Sequence, residues 1–221
     1  MGQGVYWGAS MGELPETKAA RVDWVIRAPD NVEMRRRYDI WAGAYDSDVG
    51  SVEDYLAPAE VAQVAGTVLA RAARIMDAGA GTGLLGAALR RLGFKTLVAV
   101  DYSEQMLSVA RGKAIYAEHH VCDLSRPTAF PSGSFDAVVS CGTTSQMPSA
   151  ALREFVRLVR PGGLIVFGVI PDAWVSCGWA GIRAELEADG AIALISRSAP
   201  FQMMPTTEPD FICEVWVLEV T

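Results

Sequence analysis

A glycine-rich segment, Asp77-Ala78-Gly79-Ala80-Gly81-Thr82-Gly83, has the residue types and spacing of a ligand-binding turn. Its glycines lack Cβ atoms, which lets the backbone turn sharply and bring its amides close to a bound molecule. Asp101 follows by about 20 residues, the spacing at which a carboxylate ending a second strand accepts hydrogen bonds from both ribose hydroxyls. The turn and Asp101 together predict a site for an adenosine-containing cofactor.

The identity of that cofactor depends on the residue before the turn. The segment 81–86 also fits Gly-x-Gly-x-x-Gly, which is typical of dinucleotide-binding oxidoreductases, so the glycines alone leave an NAD(P) site open. In those proteins the turn starts directly after a hydrophobic strand, whereas here Asp77 ends the strand. A carboxylate at this position would repel a pyrophosphate and tolerate a cationic ammonium or sulfonium group. We therefore expect S-adenosyl-L-methionine as the cofactor.

Strand and helix patterns alternate along the chain after residue 58. We predict strands at 74–77, 96–101, 115–122, 135–141, 163–170, 192–196 and 211–220. We predict helices at 59–73, 84–92, 104–111, 149–159 and 178–188, with a Pro-containing loop between the last two strands. The alternation predicts a doubly wound α/β fold whose mostly parallel seven-stranded sheet ends in an antiparallel hairpin. We divide the chain into an N-terminal arm and lid, residues 1–58, and a core, residues 59–221.

Polar residues stand at the carboxyl ends of the predicted strands, where open parallel sheets bind their ligands. Asp77 and Asp101 end the first two strands, Asp123 follows the third, and Ser140-Cys141-Gly142-Thr143 ends the fourth. Asp123 could contact the ligand or could instead cap the following turn, as aspartates often do. We expect these residues to meet at one edge of the sheet.

The sequence resembles the class I S-adenosylmethionine-dependent methyltransferases over roughly residues 38–170. Residues 77–83 are similar to the glycine motif of that family, Asp101 to its ribose-binding acid, and Cys122-Asp123-Leu124 to its adenine-contacting segment. The segment around Pro161-Gly162-Gly163 is similar to the family's fifth-strand motif. The resemblance implies a Rossmann-like sheet of strand order 3-2-1-4-5-7-6 with an antiparallel last strand and an N-terminal helical extension.

An aromatic segment ahead of the core, Tyr38-Asp39-x-Trp41-Ala42-x-x-Tyr45-Asp46, resembles the element that folds over the cofactor in this family. Together with Gln146-Met147-Pro148, it is similar to the Williams-Beuren-region methyltransferase-like branch. The same spacing is typical of a helix that packs an aromatic stripe on a core, and both interpretations can hold at once.

The expected site divides into a cofactor set and an acceptor set. We expect the cofactor to contact Tyr38, Trp41, Tyr45, Asp77, Gly79, Ala80, Gly81, Asp101, Tyr102, Met106, Cys122, Asp123, Leu124 and Ser140. Met147, Trp174 and Trp179 are acceptor-site candidates, with core packing as an equal alternative for each. No residue is assigned as catalytic and none as a metal ligand. His119 and His120 face opposite sides of a strand, and a base role would require one of them to be aimed at the methyl group.

Composition narrows the classes of molecule that we expect the protein to bind or to methylate. A formal net charge of -7 and a pI near 4.9 disfavour nucleic acid and anionic membranes, because both attract basic surfaces. No apolar stretch approaches the ~18 residues that span a bilayer, and the four cysteines form no Cys-x-x-Cys pair, so we expect a cytoplasmic protein. We expect a monomer or homodimer that methylates a small, partly apolar molecule by in-line displacement. A non-catalytic binder of S-adenosylmethionine and an NAD(P)-dependent oxidoreductase are the alternatives.

Overall fold

The computed structural model describes residues 13–49 and 54–221. Two helices, α1 (Lys18–Ile26) and α2 (Asn31–Val49), form the expected helical extension. Helix α1 begins at Thr17, whose hydroxyl accepts a hydrogen bond from the Ala20 amide at 3.3 Å. The first part of the predicted arm, residues 1–12, and the segment 50–53 lie outside the described residues. Within the described residues, the N-terminal extension therefore consists of two helices, as expected.

The core alternates strands and helices as predicted. The remaining helices are α3 (Ala57–Val68), α4 (Leu84–Arg91), α5 (Glu104–Gly112), α6 (Ala151–Leu158), α7 (Pro171–Ser176) and α8 (Trp179–Ala188). The strands are β1 (Arg74–Ala78), β2 (Thr96–Asp101), β3 (Glu118–Val121), β4 (Phe135–Ser140), β5 (Val159–Val169), β6 (Ile192–Arg197), β7 (Phe201–Met204) and β8 (Glu208–Val220). Their order is β3-β2-β1-β4-β5-β8-β6, and β8 runs antiparallel to β5 and β6. The Rossmann-like fold with an antiparallel last strand between the fifth and sixth strands is confirmed.

The sheet has eight strands instead of the predicted seven. Strand β7 lies in the predicted Pro-containing loop and pairs with the first half of β8, where Phe201 stands opposite Cys213. Pro205 interrupts the hydrophobic pattern there, so the segment is typical of a loop when it is considered locally. Its strand conformation depends on pairing with β8, which a local pattern does not show.

Two other elements differ from the prediction near β5. This strand begins at Val159, before Pro161-Gly162-Gly163, and its pairing with β4 is irregular between Phe135 and Ala137. The irregularity accommodates residues 159–162, which precede the predicted strand at 163–170. Helix α7 starts with a proline directly after β5 and has six residues, too few for a periodic pattern to predict it.

The core consists of two hydrophobic layers, one on each face of the sheet. Successive strand residues alternate between them, so that Ile75 packs with Leu89 and Leu107 while Met76 packs with Phe155 and Trp179. With both faces covered, the carboxyl edge of the parallel strands is left to form a site. Within the described ranges, no helix is both long and apolar enough to cross a membrane.

Candidate functional site

A cavity of about 870 Å³, counted with the space open to solvent, lies where α2 crosses the carboxyl ends of β1 to β4. Its lining includes the expected residues Tyr38, Tyr45, Gly79, Gly81, Asp101, Tyr102, Met106, Cys122, Asp123, Leu124 and Met147. The structure therefore brings residues from five separate segments to one edge of the sheet, as their strand-end positions predict.

The glycine turn is held against β2 and against the segment after β4. The amides of Gly79 and Ala80 donate to the Val100 carbonyl at 2.8 and 3.0 Å, so Ala80 anchors the turn but does not line the cavity. Gly79 has φ +73°, and a Cβ atom there would lie 2.3 Å from Cγ2 of Thr143. A Cβ atom on Gly81 would meet nothing within 4 Å, because this residue faces open space. Gly79 is needed for close packing, and Gly81 leaves room for a ligand.

Asp101 is held in place by backbone amides at the cavity wall. Its Oδ2 accepts from the Gly81 amide and its Oδ1 from the Ser103 amide, each at 2.8 Å. Burial raises the pKa of Asp101 above its ordinary value, and the Ser103 and Gly81 amides oppose that shift. A carboxylate has about four acceptor positions, so both oxygens can still accept ribose hydroxyls. The side chain is thus oriented before any ligand binds.

Asp77 lies beneath the turn and not at the cavity surface. It is 1% exposed, and its Oδ2 accepts the Tyr116 hydroxyl at 2.6 Å. Its Oδ1 has no hydrogen-bond partner among the described residues. Burial raises the pKa of Asp77 to about 7, despite the hydrogen bond from Tyr116. Asp77 therefore exchanges its proton near neutral pH.

The free energy of unfolding should reflect this buried carboxyl as the pH rises. The pKa of Asp77 is about 7 in the folded protein against an ordinary 3.8, so its protonated form favours the folded state. This contribution to the free energy of unfolding is complete below pH 3.8 and is lost as the pH rises to about 7. Asp77→Asn removes the titration and keeps an acceptor for Tyr116. Between pH 3.8 and about 7, the free energy of unfolding should fall less for Asp77→Asn than for wild type. The difference between the two falls should be on the order of 3 kcal/mol. Urea unfolding across the interval measures the difference, and parallel pH curves would contradict the assignment.

Helix α2 forms one wall of the cavity through its aromatic face. Tyr38 and Tyr45 line the cavity, whereas Trp41 is buried behind them, with ring centroids 6.3 Å from Tyr38 and 4.9 Å from Tyr45. The Trp41 indole donates to Asp48 Oδ2 at 2.5 Å. Trp41 thus supports the two tyrosines from behind, as the core-packing interpretation expects, and the lid interpretation stays a prediction.

Polar contacts fasten α2 across the site. Asp46 Oδ1 accepts the Thr82 hydroxyl at 2.5 Å, and its Oδ2 lies 2.5 Å from Lys113 Nζ. Asp39 accepts the Ser103 hydroxyl at 2.6 Å. The Tyr38 hydroxyl donates to Gln146 Oε1, 108 residues further along the chain. These contacts join α2 to the glycine turn, to α5 and to the segment after β4.

The far side of the cavity is formed by residues that follow β2 and β3. Tyr102, Met106, Cys122 and Leu124 line it, and the Arg35 guanidinium lies 5.0 Å from the Tyr102 ring centroid. Asp123 caps the following turn, because its Oδ1 accepts from the Ser125 amide at 3.0 Å, and it also lines the cavity. Both interpretations of Asp123 therefore describe its position.

Several expected site residues lie away from the cavity. Ser140 is buried and donates to the Ala78 carbonyl at 2.7 Å. Trp174 and Trp179 are 3% and 1% exposed and stack with centroids 5.4 Å apart in the core, because α7 turns Trp174 inward and α8 begins with Trp179 against it. Their location favours the core-packing alternative. His119 and His120 lie on β3, outside the cavity lining.

Other residues also line the cavity. Outside the expected cofactor and acceptor sets are Asn31, Met34, Arg35, Tyr55, Ser103, Cys141, Gly142, Thr143, Gln146 and Pro148, of which only Cys141, Gly142 and Thr143 belong to the polar strand ends expected at this edge. Asn31, Met34 and Arg35 stand seven, four and three residues before Tyr38, so extending the helical stripe backwards would have found them. Tyr55 has no local signal, since it reaches the cavity only through the fold.

The lining suits an adenosine-bearing cation. Two carboxylates, Asp101 and Asp123, and open space over Gly81 stand beside the aromatic face of α2. Carboxylates accept ribose and amine donors, and aromatic faces attract cations. Within the described ranges, no group of three or more His, Cys, Asp or Glu side chains is arranged to hold a metal.

Comparison with known proteins gives a family match and several relatives. A family model described as a methyltransferase domain matches residues 76–167. Human methyltransferase-like protein 27 is 38% identical over 160 residues, 70% of this chain and 64% of that protein. The ubiquinone biosynthesis O-methyltransferase of Xanthomonas campestris pv. campestris is 31% identical over 136 residues, 59% of this chain and 56% of that protein. The chain thus spans less than two thirds of the length of these relatives.

The fold also has solved counterparts. A TehB-like SAM-dependent methyltransferase from Corynebacterium glutamicum matches with a TM-score of 0.61 and 20% identity, covering 81% of this chain and 98% of that one. At this identity the match shows a shared fold. The family match and the fold together imply S-adenosyl-L-methionine as the cofactor.

Proposed function

Because the chain belongs to the class I S-adenosylmethionine-dependent methyltransferases, we propose that it transfers the cofactor's methyl group to a small-molecule acceptor by in-line displacement. The observation that carries the proposal is a single cavity lined by strand-end carboxylates on one side and by α2 tyrosines on the other. The printed names of relatives such as the ubiquinone biosynthesis O-methyltransferase support a small acceptor.

We assign the cofactor's adenosine to the β2 and β3 side of the cavity. Asp101 would accept the ribose hydroxyls, while Tyr102, Met106 and the segment Cys122-Asp123-Leu124 would surround the adenine. Gly79 and Gly81 would lie along the methionine portion. Strand order supports this arrangement, because β2 and β3 stand on one side of β1 and β4 stands on the other. The acceptor would then enter on the β4 side, beside Met147.

The bound cofactor supplies a methyl group made electrophilic by its sulfonium. The chain contributes positioning and the exclusion of water, which α2 provides by closing over the strand ends. Holding two reactants in attack geometry can supply ~7 to 11 kcal/mol of the barrier, so no acid or base need be assigned. We propose that α2 acts as the lid of a core that begins near residue 59.

The location and partners are part of the same proposal. The net charge of -7 supports a protein that binds neither nucleic acid nor anionic membranes. Four free thiols, at Cys122, Cys141, Cys177 and Cys213, support a reducing compartment such as the cytoplasm.

Binding and transfer can be tested separately. S-adenosylhomocysteine at 100 times its dissociation constant should stabilise the protein by ~2.7 kcal/mol in thermal unfolding, whereas NAD(P) should not. Transfer of isotope-labelled methyl to a panel of small metabolites would then show catalysis. Stabilisation by NAD(P) alone would contradict the cofactor assignment. Binding of S-adenosylhomocysteine without transfer to any acceptor would indicate a non-catalytic binder.

The role of α2 gives a further prediction. Tyr45→Ala should weaken S-adenosylhomocysteine about tenfold, because an aromatic contact contributes ~0.5–1.5 kcal/mol beyond the area it buries. Tyr45→Phe keeps the ring that packs on Trp41 and should stay within about twofold of wild type. Calorimetric titration measures both variants, and a circular dichroism melt checks that they fold. Equal affinity in wild type and Tyr45→Ala would rule out a lid contact at this residue.

A further inference from the structure

The cavity separates its charged side chains from its neutral ones. We call the neutral part the β4 chamber, which is lined by Tyr38, Tyr45, Tyr55, Cys141, Gln146 and Met147. Among the described lining residues, the charged side chains are Arg35, Asp101 and Asp123, and all three belong to the β2 and β3 side. An anionic acceptor inside the chamber would lose its hydration without gaining a counter-ion among the described chamber residues, which is costly.

None of the described residues that line the β4 chamber has a group that could take a proton at neutral pH. Burial raises the pKa of Tyr38, Tyr55 and Cys141 above their ordinary values, so these groups stay protonated. Gln146 and Met147 have no basic nitrogen. An acceptor that must lose a proton to react, such as a phenol, would find no base among the described chamber residues.

Positive charge is favoured in the same place. Three aromatic residues, Tyr38, Tyr45 and Tyr55, line the chamber, with the Tyr38 and Tyr45 ring centroids 6.3 Å apart. Tyr55 Oη lies 3.7 Å from Cys141 Sγ at the end of β4, which places this tyrosine on the acceptor side. Aromatic rings stabilise a neighbouring cation, most strongly where water is excluded. The chamber can therefore hold a cationic product but disfavours an anion.

Resting on the proposed methyl transfer, we infer that the acceptor is an uncharged, planar heteroaromatic molecule whose reacting atom is a pyridine-type ring nitrogen. In such a transfer the nitrogen lone pair forms the bond to the methyl carbon, and the carbon–sulfur bond breaks with its electron pair on sulfur. The positive charge passes from sulfur to nitrogen, and no proton needs to be removed. A ring nitrogen reacts without a base, enters the chamber uncharged and becomes a cation beside aromatic rings. It therefore fits all three features of the described chamber residues.

The test uses quinoline and its methylated product, 1-methylquinolinium, with the protein saturated by S-adenosylhomocysteine. Titration calorimetry should show that both bind, and that Tyr55→Leu weakens 1-methylquinolinium at least tenfold but quinoline less than threefold. Tyr55→Phe keeps the ring and should restore the affinity for 1-methylquinolinium. Phe211→Leu, at a half-exposed position on β8, is the matched aromatic control. Retained S-adenosylhomocysteine binding shows that each variant folds.

Methyl transfer supplies the second readout and separates the two proposals. Quinoline should be methylated, whereas 2-naphthol and benzoate of similar size should not be. Methylation of 2-naphthol or benzoate in place of quinoline would overturn the inferred acceptor class and leave the methyltransferase proposal standing. Failure of both quinoline probes to bind would also overturn it. Failure to bind S-adenosylhomocysteine would instead overturn the proposed function.

Discussion

Replacing Asp101 with alanine is expected to weaken S-adenosylhomocysteine binding at least 100-fold. A hydrogen bond to a charged group contributes ~1.5–3 kcal/mol, so two ribose hydroxyls together account for ~3 kcal/mol or more. The change also removes the acceptor of the Gly81 and Ser103 amides, which hold the turn and the start of α5 in place. Isothermal titration calorimetry measures the loss directly.

A nearby carboxylate gives the matched control for this experiment. Glu104 stands three residues after Asp101, pairs with Arg111 at 2.6 Å and does not line the cavity. Glu104→Ala should leave the affinity for S-adenosylhomocysteine within about twofold of wild type, since an exposed ion pair contributes little. If Asp101→Ala bound S-adenosylhomocysteine as tightly as Glu104→Ala does, the adenosine would have to lie elsewhere in the cavity.

Gly79→Ala should lower the free energy of unfolding by about 3 kcal/mol and weaken cofactor binding. Part of the cost is conformational, because a residue with a Cβ atom at φ +73° is strained by ~1–2 kcal/mol. The remainder is steric, because the new methyl group would stand 2.3 Å from Cγ2 of Thr143 and force two packed segments apart. Urea unfolding and calorimetry measure the two effects.

Two further variants separate strain from collision. Gly190→Ala has a similar φ of +70° but open space around its Cβ position, so it should cost only about 1 kcal/mol. Thr143→Ser removes Cγ2 and keeps the hydroxyl that contacts Ser140, so in combination with Gly79→Ala it should recover much of the lost stability. Simple addition of the two single-mutant effects would show that the contact between Gly79 and Thr143 is not the cause.

Local sequence features predicted most of the residues that line the β2 and β3 side of the cavity. Gly79 and Gly81 of the glycine turn, Asp101 and the segment after β3 line the cavity, because strand ends are specified by residues close to one another in the chain. The same local patterns also placed Ser140 and Trp174 in the site, whereas neither residue lines the cavity. Ser140 has the right place in the chain, but its hydroxyl is used by the Ala78 carbonyl. Only the packed structure shows which way such side chains point.

The glycine turn, the acids at the strand ends and the alternation of strands and helices were determined by the sequence alone. These depend on backbone freedom and hydrophobic periodicity, which act over a few residues. The tertiary structure decided that α2 reaches Gln146, that Tyr55 enters the cavity and that β7 pairs with β8. It also placed the charged side chains of the described cavity lining, Arg35, Asp101 and Asp123, on the β2 and β3 side of the cavity. Such placements depend on contacts between distant segments, whose geometry is set when the whole core packs.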